Sequence, residues 1–156
     1  MRDVPVVKII ISGGQTGADR AALDFALNHG FEIKGFCPQG RRAEDGPLDQ
    51  RYPLVETESS SYPERTRKNV MLADATVIFN GLPHYSPGTK AAVKHASLRD
   101  KPFKVLTNYP DVEKDAAELI NWINQIQPQS LNIAGNAEEK RPGIYRHVIK
   151  VLSTVF

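Results

Sequence analysis

Two adjacent glycines end an apolar run at "IIISGGQTGADRAALD", and a helical pattern begins a few residues later. Gly13 and Gly14 allow backbone angles that other residues avoid and let a ligand approach the main chain. Gly17 permits tight packing where the helix starts, and Thr16 and Asp19 have the spacing of a capping box. Free N–H groups in a first helical turn, with the helix dipole, favour an anion, and phosphate is the commonest such guest. The chemistry predicted for Gly13, Gly14, Gln15, Thr16 and Gly17 is therefore anion binding. No Gly-Lys-Ser/Thr closes the stretch, so it is not a Walker loop. Against G-x-G-x-x-G, Ser12, Gly14 and Gly17 fall in register and the first glycine is missing. At the end of the next strand stands "GFCPQG", where a ribose-binding carboxylate for NAD would be needed. The pattern fits an anion site and not a dinucleotide dehydrogenase.

The elements that must position this turn alternate along the chain. Val6–Ile11 is rich in β-branched residues and suits a strand buried on both faces. Ala18–Asn28 is helical, with a glycine stop at Gly30. Phe31–Phe36 is a second strand, Cys37–Pro53 a long loop and Leu54–Glu58 a short edge strand. Tyr62–Ala73 is a helix, with Ser61 as N-cap and Pro63 and Glu64 in its first turn. Then follow strand Ala75–Phe79, helix Thr89–Arg99, strand Phe103–Leu106, helix Asp111–Ile126, strand Leu131–Ala134 and helix Ile144–Val155. The alternation predicts an α/β fold, a Rossmann-like open parallel sheet with helices on both faces. Right-handed crossovers put every strand-to-helix loop at the carboxyl edge, where ligands bind. Three glycine-bearing loops are thus expected together: "SGGQTG", "NGLPHYSPGT" and "AGNAEEKRPG".

Bulk properties narrow the function. The 156 residues are 40% hydrophobic and 24% charged, the composition of one globular domain over 1–156. The net charge of +2 comes without a basic run, so nothing argues for a nucleic-acid surface. Cys37 is the sole cysteine, which excludes an internal disulfide and fits a reducing, cytoplasmic setting. The opening "MRDVPVVKIII" does not read as a signal peptide, and no run approaches a membrane span. His29, His84, His95 and His147 are scattered, with no His/Cys spacing for a metal. His29 reads as a helix C-terminal residue and His95 and His147 as helix-surface positions, leaving His84 as the loop histidine near the edge.

Several stretches together resemble one family. "GGQTGADRAALD", "PQGRRAEDGPLDQRYPLVET", "YPERTRKNV", "ADATVIF", "SPGT" and "LNIAG" occur in order over nearly the whole chain. They resemble the molybdenum cofactor carrier proteins. These sit in a wider Rossmann-like group with the lysine-decarboxylase-like phosphoribohydrolases. The resemblance implies a cytoplasmic homo-oligomer, a dimer or tetramer, that holds the molybdenum cofactor without changing it and passes it to molybdoenzymes. It implies no catalytic residue and no tightly bound, protein-ligated metal. The cofactor has a terminal phosphate, a pterin and an oxo-metal end, so donors and one arginine are wanted.

Aligned on "ADA", Arg65 matches the catalytic arginine of the phosphoribohydrolases, and Thr66 and Asn69 accompany it. Arg67 and Lys68 read as surface. From the two later loops the expected contacts are Ser86, Gly88, Thr89, Lys90 and Gly135. The phosphoribohydrolases read P-G-G-x-G-T-x-x-E, ending on a catalytic glutamate. Here "YSPGTKAAV" has Ala92 at that position, which argues against hydrolysis. A nucleotide-processing enzyme would need Glu44 or Asp45 as its acid or base, and a nucleotide-ligand sensor would share the carrier's site. The family's last loop reads "NVAGPRES"; here Asn136 and Ala137 replace the proline and arginine, with Arg141 as the substitute cation. The loop "RRAEDGPLDQRY" reads as a flap over the site or an oligomer contact.

Overall fold

The computed structural model describes residues 2–3 and 6–156. Met1, Val4 and Pro5, part of the N-terminal stretch that predicts no leader, lie outside the described residues. In chain order the elements are β1 (Ile9–Ile11), α1 (Ala18–His29), β2 (Glu32–Lys34), β3 (Phe36–Cys37), β4 (Val55–Glu56), α2 (Tyr62–Leu72), β5 (Ala75–Phe79), α3 (Pro87–Leu98), β6 (Phe103–Leu106), α4 (Val112–Ile126), β7 (Ser130–Gly135) and α5 (Ile144–Val155). Five strands form a parallel sheet in the order β2-β1-β7-β5-β6. This is the expected Rossmann-like α/β fold. The last strand in sequence stands at the centre, between β1 and β5.

Central position explains the composition of β5. All five residues of "ATVIF" are buried, since helices cover both sides. Helices α1, α5 and α4 pack side by side on one face, over Ile10, Val77, Phe79, Leu131 and Ile133. Helices α2 and α3 pack on the other. The core on that second face is thin and small: Val70, Ile78, Ala92 and Ala96. Small side chains there leave room between the helices and the sheet.

The second predicted strand, Phe31–Phe36, divides. Gly35 has φ +133°, and a Cβ on it would lie 2.5 Å from the Ser12 carbonyl oxygen. The chain turns at that glycine. Residues before it pair with β1, and β3 leaves to pair with β4 in a separate two-stranded sheet. The predicted strand Leu54–Glu58 is accordingly no edge of the main sheet. Asn69 clamps the departing segment, accepting from the Phe36 N–H at 2.8 Å and donating to the Phe36 carbonyl at 3.0 Å. Helix α3 begins two residues before Thr89 because Ser86 caps it. Ser61 precedes α2 in extended conformation without a side-chain cap bond. Helix α1 ends as expected on Gly30, which is left-handed.

Candidate functional site

Strands β1, β7 and β5 are neighbours, so the three glycine loops leave the sheet side by side. Sequence order reverses across them, which makes this edge the binding crevice of an open parallel sheet. The loops pack backbone against backbone. Gly17 has φ +80°, and a Cβ there would stand 2.3 Å from the Asn136 carbonyl oxygen. A Cβ on Gly135 would stand 2.4 Å from the Phe79 carbonyl oxygen. These are the contacts that require glycine. Between the loops, α2 and α3 lies a cleft of about 470 Å³.

Of the residues predicted for the site, Gly13, Gln15, Arg65, Thr66, Asn69, Ser86, Gly88, Thr89 and Gly135 line this cleft. Gly14, Thr16, Gly17 and Lys90 are not among its lining. Gly14 backs onto Leu48 and Leu54 and Gly17 onto the loop after β7, while Lys90 is exposed on α3. His84 is exposed and Arg141 faces Tyr109, its guanidinium carbon 4.2 Å from the ring centroid. Neither lines the cleft, whereas Lys140 does.

The opening turn uses much of its own donor capacity. The Gly14 N–H donates to Ser12 Oγ at 3.3 Å, Gln15 N–H to Asp19 Oδ2 at 3.4 Å and Thr16 N–H to Gln15 Oε1 at 2.9 Å. Thr16 and Asp19 form no capping box. Thr16 Oγ1 instead donates to Glu44 and accepts from the Glu138 N–H, both at 3.2 Å. The start of α1 thus carries its own buried carboxylate, Asp19. Arg65, also buried, reaches it from α2: Nη1 lies 3.5 Å from Asp19 Oδ2 and donates to the Gly13 carbonyl at 2.9 Å. Burial pushes the Asp19 carboxyl up to about 6, opposed by the Arg65 charge and the Gln15 N–H.

The start of α5 is likewise supplied with a carboxylate. Glu138 accepts from the N–H groups of Gly143 at 2.7 Å and Tyr145 at 3.0 Å. Helix α3 has no acidic residue in its first turn. Its cap, Ser86 Oγ, accepts from the Thr89 N–H at 3.2 Å, and Thr89 Oγ1 donates to Asn80 Oδ1 at 3.0 Å. Asn80 also receives the Ser86 N–H at 3.2 Å and Asn136 Nδ2 at 3.4 Å. Asn136 in turn accepts the Gly81 N–H at 2.6 Å, and its own carbonyl takes the Ala18 N–H at 3.1 Å. This asparagine pair ties the β5 and β7 loops to the starts of α1 and α3. The residues that replace the family's expected Pro and Arg are therefore structural at Asn136.

The flap is held rather than loose. Arg41 donates to four main-chain carbonyls, of Leu48, Asp49, Tyr52 and Leu54, at 2.7 to 3.3 Å. Gln15 Oε1 accepts the Glu44 N–H at 2.8 Å, which places Glu44 on the cleft. Asp45 points elsewhere and pairs with Arg20 at 2.9 Å, which holds its carboxyl below the usual range. The inner wall is apolar, with Ile78, Ala92 and Ala134, and has one amide, Asn132. Asp19, Asn132 and Lys140 were not legible as site residues, and Glu44 was named only for the nucleotide-processing alternative. Asp19 read as a cap, and Asn132 lay inside a strand.

His147 corrects a reading as well. It is 4% exposed, not a surface position, and its Nε2 lies 2.7 Å from Asp115 Oδ2 on the opposite side of the sheet from the cleft's helices. Its neighbours are hydrophobic, so the Asp115 carboxylate is the partner that makes burial tolerable. Among the described residues no group of His, Cys, Asp and Glu could hold a metal ion, and no helix is long and apolar enough to cross a membrane.

Comparison with known proteins agrees with this geometry. The model of the circularly permutated YpsA SLOG family matches residues 10–156. A crystal structure at 1.45 Å resolution of a "putative molybdenum carrier protein" from Syntrophus aciditrophicus SB superposes with a TM-score of 0.94 at 37% sequence identity, covering 99% of this chain and 98% of that one. No curated protein sequence matches.

Proposed function

The chain belongs to the circularly permutated YpsA SLOG family, and we propose that it is a molybdenum cofactor carrier. It binds the phosphorylated pterin at the carboxyl edge of the sheet and releases it unchanged. One observation carries the reading. The start of α3, without a carboxylate in its first turn, shares a cleft of about 470 Å³ with Arg65 and Lys140. An anion is drawn to such a place by the helix dipole and by charge-assisted donors. The cleft continues inward as an apolar wall, which a flat ring covers well.

Arg65, Ser86, Gly88 and Thr89 would hold the phosphate. Gly13, Gln15, Gly135, Thr66 and Asn69 would line the rest, with Gly14, Thr16 and Gly17 shaping the loops from behind, and Lys90, exposed on α3, adding positive charge near the helix start. The carried group keeps its redox chemistry for the enzyme that receives it. The position where the phosphoribohydrolases place a catalytic glutamate is Ala92, 1% exposed and facing the cleft, which supports binding without conversion. The resemblance to the solved carrier-like structure supports the same cargo. We extend the proposal to a homodimer or homotetramer in the cytoplasm, since an oxygen-sensitive cargo needs more cover than one edge cleft provides.

The test is direct. Protein produced with molybdate in the medium is purified without oxygen. Molybdenum is then measured by mass spectrometry and pterin by fluorescence after oxidation. Near-stoichiometric amounts of both are expected in the wild type and neither in Arg65→Ala. Absence of both from the wild type overturns the carrier reading.

A further inference from the structure

Asn132 is a polar residue in an expensive place. It stands in β7, the central strand, and is 3% exposed. Its register partner on β5 is Thr76, and its Nδ2 donates to Thr76 Oγ1 at 3.3 Å. An apolar pair there would pack without the cost of taking an amide out of water. A carboxamide has two donors and an acceptor with two lone pairs, so one bond leaves most of that capacity unused. Among the described residues, the buried side-chain nitrogen and oxygen atoms without a partner belong to Arg141 and His147. The far end of the Asn132 amide is not one of them, and Asn132 lines the cleft. Its free end therefore opens into that space.

Its depth matters. Asn132 precedes Gly135, at the carboxyl edge, by three residues. At ~3.3 Å per residue that is roughly 10 Å inward along the strand. Around it the wall is Ile78, Ala92 and Ala134. A bare anion bound at the start of α3 has no use for an amide so far inside. A flat nitrogen heterocycle lying on the apolar wall does, because its edge carries hydrogen-bonding groups that must be paired once they leave water.

We propose that Asn132 determines ligand specificity in the cleft: its carboxamide reads the hydrogen-bonding edge of a flat nitrogen heterocycle of the pterin or guanine type, bound in the inner half. This rests on the anion-and-ring reading above and adds which end of the ligand enters first. The free oxygen accepts from a ring N–H or exocyclic amino group. A ring of the same size without such an edge leaves the amide unpaired and is penalised.

Affinities are measured by calorimetry for four probes: 6-hydroxymethylpterin, guanosine monophosphate, 1-naphthyl phosphate and inorganic phosphate. Asn132→Leu should weaken 6-hydroxymethylpterin and guanosine monophosphate by about tenfold to hundredfold, tighten the naphthyl ester by relieving the unpaired amide, and leave phosphate unchanged. Asn132→Ser, which keeps a hydroxyl beside Thr76, should give the same pattern and serves if the leucine variant does not fold. Equal losses on all four probes, or no loss on either heterocycle, overturn the inference even if the cofactor co-purifies. If only guanosine monophosphate binds, with a dependence on Asn132, the inference stands and the carrier reading falls.

Discussion

Asp19 offers a titration that the folded protein should report. The carboxyl is 6% exposed in the first turn of α1, and burial lifts it from 3.8 to about 6 against the pull of Arg65 and the Gln15 N–H. A carboxyl raised in the folded state holds its proton more tightly there than in the unfolded chain. Its contribution to stability is therefore greatest below about pH 4 and is lost as pH rises through 6, the reverse of an ordinary salt-bridged aspartate. At roughly 1.4 kcal/mol per pH unit, the window is worth about 3 kcal/mol. Asp19→Asn keeps the shape and removes the titration. Urea unfolding of both proteins at pH 4, 5, 6 and 7 gives a difference in which the other carboxylates and the histidines cancel. Wild type should lose between about 2 and 3 kcal/mol relative to the variant across that range, the rest of the window lying below pH 4. A flat difference, or one that grows in favour of wild type with pH, would show that Arg65 outweighs burial and that the argument is wrong.

Arg65→Ala should weaken inorganic phosphate binding by about tenfold to hundredfold, read by calorimetry, while Arg67→Ala, whose guanidinium donates to Met71 Sδ and is not among the cleft's lining, should leave it unchanged. Equal losses would return α2 to the role of a charged surface. Gly17→Ala should cost about 3 kcal/mol or more in denaturant unfolding, because φ +80° is strained for alanine and the added Cβ meets the Asn136 carbonyl. A change below 1 kcal/mol would mean that the β7 loop yields easily. Arg41→Ala should destabilise by about 3 kcal/mol and speed amide exchange between residues 42 and 53, and lysine should not rescue it, since the three donors of one ammonium cannot replace the guanidinium fork on four carbonyls.

The sheet was legible because buried parallel strands need unbroken apolar runs. "ATVIF" marks β5 at its observed bounds, while the edge strand "FKVL", with Lys104 inside it and Phe103 exposed, was placed by the alternation of elements. The division of Phe31–Phe36 was not legible, because Gly35 reads as one more strand residue until the Ser12 carbonyl is known to press on it. Loops at the site followed from topology, and nine of the predicted residues share the cleft. Of the four that do not, Gly14, Thr16 and Gly17 lie behind the loop surface and Lys90 is exposed on α3, which depends on the direction of a residue and not on its place in a motif. His147 shows the same limit. A histidine in a helix reads as surface unless its partner is known, and Asp115 lies a whole strand and loop away in sequence.

The distribution of carboxylates decides between the glycine turns. All three carry the same local invitation to an anion, since each leads into a helix whose first N–H groups lack helical partners. Asp19 answers it at α1 and Glu138 at α5, both from within the chain. A phosphate brought to either would meet a resident carboxylate. At α3 the cap is a neutral serine and the flanking residues are proline and glycine. Gly88 has open space where a Cβ would be, so the main chain can be approached closely there. In the proposed complex Arg65 would have two anions within its reach, the buried Asp19 behind it and the ligand before it. Because the pair with Asp19 is loose, at 3.5 Å, the arginine keeps much of its donor capacity for the second. On the proposed reading the opening "SGGQTG" turn would serve as the scaffold that aims Arg65, through the Gly13 carbonyl, at a charge held by α3.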